Sequence, residues 1–134
     1  MKKSHFISVL MSITLFFCFN GATLAGDLPD GIINSLKTGN SKELSKFFNT
    51  NIDLTILEKQ DIYSKTQAEI ILKEFFVKNP PTNYTIIHQG GVEGSKYVIG
   101  NLTTSNGTFR VTITIKNINN TQVIQQLRIE SGNE

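Results

Sequence analysis

The chain lacks the residues on which several kinds of function depend. It has one cysteine in 134 residues, Cys18. That cysteine falls in an N-terminal segment with the marks of an export signal. No disulfide can therefore staple the rest of the chain, which must rely on its hydrophobic core. Histidine is nearly absent too, with two in the whole sequence, His5 and His88. A zinc site gathers three or four ligands at short spacing, and no such cluster occurs, so neither a metal nor another cofactor is expected. No long run of Lys or Arg exists, which argues against nucleic acid as a partner and against a polybasic membrane patch. Gly90-Gly91, Gly94 and Gly107 precede no helix start. They are read as hairpin glycines and not as a phosphate cradle.

Within residues 1–25, Lys2 and Lys3 are followed by an apolar run of about 14 residues at 6–19 and then by Thr23-Leu24-Ala25. A basic start, an apolar middle and small residues at the end make a secretory signal peptide, with cleavage expected after Ala25. The run falls short of the roughly 20 residues that a membrane span needs. Phe16 and Phe17 precede Cys18, whereas lipid attachment requires a small residue there, so Cys18 belongs to the discarded segment. Thirteen basic residues less Lys2 and Lys3 leaves 11 against 11 acidic residues, so the exported chain is formally neutral. Its destination is periplasmic or extracellular, with no membrane attachment once the signal is gone. Residues 26–134 are expected to form a single domain.

The strongest pattern lies in that domain's second half. At 109–116 apolar and polar residues alternate without a miss, which places Phe109, Val111, Ile113 and Ile115 on one face of a strand. Strands are predicted at 84–89, 96–104, 108–116 and 122–130, with a bulge and turn around Gly90-Gly91 and Gly94-Ser95. Tight turns are expected at Ser105-Asn106-Gly107 and 117–121. The first half supplies helices to cover this sheet. Leu28, Ile32 and Leu36 recur every four residues and Gly39 suits a helix end. Asn40 with Glu43 can cap a second helix, whose stripe is Leu44, Phe47 and Phe48. Ile52 to Ile56 alternates as a strand, Lys59-Gln60-Asp61 is expected to turn, and Ile62-Tyr63 to return briefly. The best helix spans 65–78, with Ala68, Ile71, Leu72, Phe75 and Phe76 in a core-facing stripe, Ser64 and Gln67 as a capping box, and Asn79-Pro80-Pro81 as its stop. The class is therefore α+β: two short helices and one long helix on a curved antiparallel sheet of four to six strands. Its core should be the 109–115 face against Leu72, Phe75 and Phe76. Val98, Leu102 and Ile124 are expected on the outer face.

Several stretches carry a family resemblance. They include Ser35-Leu36-Lys37-Thr38-Gly39-Asn40, Tyr63-Ser64-Lys65, Asn79-Pro80-Pro81, His88-Gln89-Gly90-Gly91, Ile99-Gly100-Asn101-Leu102 and Gln125-Gln126-Leu127-Arg128-Ile129. Together they resemble a family of small exported bacterial proteins defined by a domain of unknown function. That family is in turn similar to the cone-shaped superfamily of nuclear transport factor two, ketosteroid isomerase and scytalone dehydratase. The resemblance implies a pocket between the helices and the sheet's concave face. It implies no activity, because the fold hosts enzymes and non-enzymes alike.

Isomerase-type chemistry would need a base and a hydrogen-bonding acid aimed into that pocket. Glu130 alternates with Ile129 and should point outward, Glu93 sits in a turn, and Asp53 is out of phase with Ile52, Leu54 and Ile56. His88 is in phase with Tyr84 and Ile86, unless a bulge shifts it, and is the one ready proton-transfer group. Tyr63, Tyr84 and Tyr97 could line the pocket with His88, Asn101 and Gln125, the last sharing the phase of Val123, Leu127 and Ile129. With no catalytic pair in sight, the expectation is a non-catalytic exported module that binds a small molecule, a peptide or another protein. The alternatives are a pocket enzyme of isomerase, dehydratase or hydrolase type using His88, and a structural accessory protein that forms a homodimer through its sheet.

Overall fold

A computed structural model describes residues 28–132. The proposed signal segment, Cys18 included, lies outside them. The elements run α1 (Asp30–Thr38), α2 (Ser41–Ser45), β1 (Phe48–Ile56), β2 (Lys59–Ser64), α3 (Lys65–Lys78), β3 (Pro81–Val92), β4 (Ser95–Thr104), β5 (Gly107–Ile118) and β6 (Thr121–Ser131). Helices α1 to α3 lie on one face of a six-stranded sheet ordered β2-β1-β6-β5-β4-β3. The architecture is the α+β class that the pattern indicates.

The helix ends follow the local chemistry. Gly39 ends α1 at a φ of 69°, and the next amide, Asn40 N–H, returns to Ser35 O at 2.9 Å. Asn40 Oδ1 accepts Glu43 N–H at 3.1 Å to open α2. Ser64 and Gln67 close a reciprocal capping box on α3. Its stripe of Ala68, Leu72, Phe75 and Phe76 is buried.

Strand β3 runs longer than expected at both ends, Pro81–Val92 in place of 84–89, and two further boundaries differ. Helix α2 stops at Ser45, and Phe48 opens a strand in place of completing a helical stripe. The cause is tertiary: Ile124 N–H on β6 donates to Phe47 O at 2.7 Å and draws the chain into the sheet. The second difference is the β1–β2 turn. Ile56 pairs with Lys59, so Leu57 and Glu58 make the turn and Lys59, Gln60 and Asp61 are strand. No glycine or asparagine marks that turn, and Leu57 takes a φ of 57° with its N–H held by Ile129 O at 2.7 Å.

Strands β3 to β6 form an antiparallel meander, but β1 joins β6 in parallel, Leu54 opposite Leu127 and Ile56 opposite Ile129. Val111, Ile113 and Ile115 are buried as expected. Phe109 is half-buried, its ring edge-on to Phe75 at 5.1 Å. Val98, Leu102 and Ile124 are not on the outer face; they are 1%, 0% and 0% exposed. Val98 pairs with Ile113 and Leu102 with Phe109, which puts both on the core side. Ile124 is turned inward by a bulge. Thr114 pairs with Gln126 but Ile115 with Ile124, so Gln125 is an extra residue and the phase of β6 reverses there.

Candidate functional site

The helices leave one end of the sheet partly uncovered. There, between α3 and the tip of the β1–β2 hairpin, an open cleft of about 960 Å³ reaches the end of β6. Its floor is apolar: Leu54 and Ile56 of β1, Tyr63 of β2, and Ile71 and Phe75 of α3. The floor continues the core, with Leu54 and Phe75 buried and Ile56, Tyr63 and Ile71 half-buried. Exposed Leu57 lines it from the turn.

The rim is charged and balanced in sign. The hairpin contributes Glu58 and Lys59, α3 contributes Glu74 and Lys78, and the end of β6 adds Arg128 and Glu130, which start from the outer face opposite Thr112 and Arg110, as expected for Glu130. Arg128 and Glu130 pair with each other at 2.8 Å and remain close to half exposed. Ile71, Glu74, Phe75 and Lys78 are spaced i, i+3, i+4, i+7, so a single face of α3 supplies both floor and rim. An apolar floor ringed by a few polar groups is the usual build of a small-ligand site.

Of the six residues proposed from the sequence, the cleft takes in Tyr63. Tyr84 is buried, pairs opposite Leu102, and donates its hydroxyl to Val111 O at 3.3 Å. Burial pushes its phenol well above the ordinary range, so it stays protonated. His88 does not share Tyr84's face. Ile86 pairs with Gly100 and His88 with Ile99, so Ile87 is an extra residue and His88 turns to the outer face. The phase shift allowed for at Gly90-Gly91 thus occurs three residues earlier. Exposed there, His88 Nε2 is hydrogen-bonded to Tyr97 Oη at 3.1 Å. Asn101, opposite Arg110, is on that outer face too. Gln125 is the bulged residue of β6, half-buried, and makes no side-chain hydrogen bond among the described residues. The six therefore do not converge on one pocket.

Sequence reasoning missed Leu57, Glu58, Lys59, Glu74, Lys78 and Arg128. Only the helical spacing on α3 could have signalled part of the set. Asp53 accepts from Gln60 at 2.8 Å and from Gln126 at 3.5 Å, on the sheet's outer face. Among the described residues, no three His, Cys, Asp or Glu side chains group closely enough to hold a metal ion. Among them too, no helix is long and apolar enough to cross a membrane.

Three helices on one face of a six-stranded, mostly antiparallel sheet give an α+β fold of the nuclear-transport-factor-two-like and cystatin-like kind. A protein whose name marks it as NTF2-type is similar over 75% of this chain and 90% of that one, at 12% identity and a TM-score of 0.62. A domain of unknown function with a cystatin-like fold from Nostoc punctiforme is similar over 78% and 73%, at 9% identity and 0.64. At such identities the likeness concerns the fold alone. The family is narrower: the chain belongs to DUF4783, described as a domain of unknown function, whose profile matches residues 29–130. A DUF4783 protein from Bacteroides ovatus is 37% identical, over 80% of this chain and 97% of that one, with a TM-score of 0.76. No curated protein matches the chain.

Proposed function

We propose that this protein is an exported, non-catalytic module that binds an amphipathic ligand in the cleft between α3 and the β1–β2 hairpin. The observation that carries the reading is the composition of that cleft. An apolar floor in which Ile56, Tyr63 and Ile71 are half-buried lies beneath a charged rim and continues into buried Leu54 and Phe75. Such a surface has free energy to gain by covering its apolar part, at about 25 cal/mol for each Å² removed from water. The export half of the proposal rests on the basic, apolar and small-residue order of residues 1–25.

The enzyme reading has less support. His88 is separated from the cleft by the sheet, and its near partner is the Tyr97 hydroxyl, not a carboxylate. The decisive experiment is a ligand-observed binding screen on the chain beginning at Gly26, with hits located by amide chemical shifts. Hits should move the signals of Tyr63, Ile71 and Glu74. Hits that move His88 and Tyr97 instead, or a turnover that disappears in His88→Gln while the fold persists, would defeat the proposal.

A further inference from the structure

We propose that Leu57 is the apolar jaw of this cleft and that the ligand it grips is an amphiphile with an aliphatic body and a head group of no net charge. The inference rests on the cleft as a binding site and goes beyond it in naming a residue and a ligand class.

Leu57 occupies a position that suits it badly. With Ile56 opposite Lys59, Leu57 and Glu58 are the whole of a two-residue hairpin loop. At a φ of 57° Leu57 is in the left-handed region, which glycine enters freely and a leucine only at a cost. Nor does the core compensate for that cost, because Leu57 is 48% exposed. The backbone is nonetheless held in place: Leu57 N–H donates to Ile129 O at 2.7 Å and extends the β1–β6 ladder one residue past Ile56. Strained residues that the surrounding structure over-determines concentrate at ligand clamps. Here the strain falls on a large aliphatic residue that lines the same cleft as half-buried Ile56 and Ile71. A ligand that closes the gap would bury Leu57 from one side and those two isoleucines from the other.

The rim decides the head group. The hairpin wall and the α3 wall each present one carboxylate and one cation, Glu58 with Lys59 and Glu74 with Lys78, while Arg128 and Glu130 at the β6 end neutralise each other from the outer side of the sheet. A singly charged head gains from one member of a pair what it loses to the other. A zwitterionic head finds a partner for each of its charges, so complementarity favours it over either ion.

The test uses the chain from Gly26 and three probes below their micelle concentrations: decylphosphocholine, decanoate and decyltrimethylammonium. Affinities are measured by calorimetry and binding is located by NMR. Decylphosphocholine should bind at least as tightly as either ion and should shift Ile71 and Tyr63 signals. Leu57→Gly should keep or raise the melting temperature while weakening this probe about tenfold or more, the scale set by one buried leucine side chain. Leu57→Met should stay near the wild-type affinity, and Ile62→Ser, on the outer face of the neighbouring strand, should leave it unchanged. If Leu57→Gly binds like wild type while the cleft signals still shift, the role given to Leu57 is wrong but the cleft stands. A lower melting temperature in Leu57→Gly would show that Leu57 serves the fold, and so overturn the proposal. An ion that binds about tenfold tighter than the zwitterion would overturn the head group. Absence of cleft shifts with all three probes would remove the cleft reading and this proposal together.

Discussion

Gly100 on β4 lies beneath the ring of Tyr84, and replacing it by alanine measures how tightly this part of the core is closed. A Cβ at Gly100 would lie 2.5 Å from Tyr84 Oη and 2.6 Å from its Cε1, far inside van der Waals contact. Gly100 is paired on both sides, with Ile86 and with Val111, so its backbone cannot retreat. Tyr84 is buried and tethered to Val111 O, so the ring has little room either. Overpacking of this kind costs about 1–3 kcal/mol. Displacing the hydroxyl from Val111 O adds about 0.5–1.5 kcal/mol. Against this, alanine reduces the freedom of the unfolded chain, which offsets about 0.4–1 kcal/mol. Gly100→Ala should therefore lose about 0.5–4 kcal/mol in equilibrium urea unfolding. A double-mutant cycle with Tyr84→Leu isolates the contact. With the ring gone, the same glycine-to-alanine change should cost little, giving a coupling of about 1 kcal/mol or more. Equal costs in the two backgrounds, within about 0.5 kcal/mol, would refute the packing of Tyr84 over Gly100.

Tyr84 also links stability to alkaline pH. Its folded-state pKa is raised above the ordinary 10.0 by burial, so the unfolded chain releases this proton first. Its contribution to stability is complete below pH 10.0 and falls above it, by at most about 1.4 kcal/mol per pH unit; unfolding compared with Tyr84→Phe should show the variant's decline to be shallower. Phe76 is 5% exposed, its ring centroid 5.8 Å from that of Phe75. Phe76→Ala should cost about 3–5 kcal/mol, and a urea midpoint that barely moves would show the α3 register to be wrong. Expression in a secreting bacterial host should give a chain that begins at Gly26, and mass spectrometry that finds an intact Met1 or a lipid on Cys18 would overturn the export reading.

Much of this protein was legible one element at a time. The α3 stripe, its capping box, Gly39 and the alternation at 109–115 are local signals, since helix and strand periods are written in neighbouring residues and caps satisfy the amides next to them. They were enough for the α+β class, for α3 as the covering helix and for most of the core. What failed was whatever depended on a partner distant in sequence. Phe48 belongs to a strand because β6 is there to receive it. Leu57 turns the chain without a turn residue because Ile129 holds its amide.

The two bulges account for the largest differences. A bulge inserts one residue without altering the apparent rhythm of the sequence, yet it exchanges the faces of everything beyond it. At Ile87 it sends His88 away from the helices, and at Gln125 it brings Ile124 into the core. The cleft was hidden because its walls come from β1, β2, α3 and β6, segments distant in sequence. Sequence alone determined which residues seek burial and which local elements they form. Tertiary structure decided which face each strand presents and which residues meet, because both depend on the register between strands, a relation that no single segment contains.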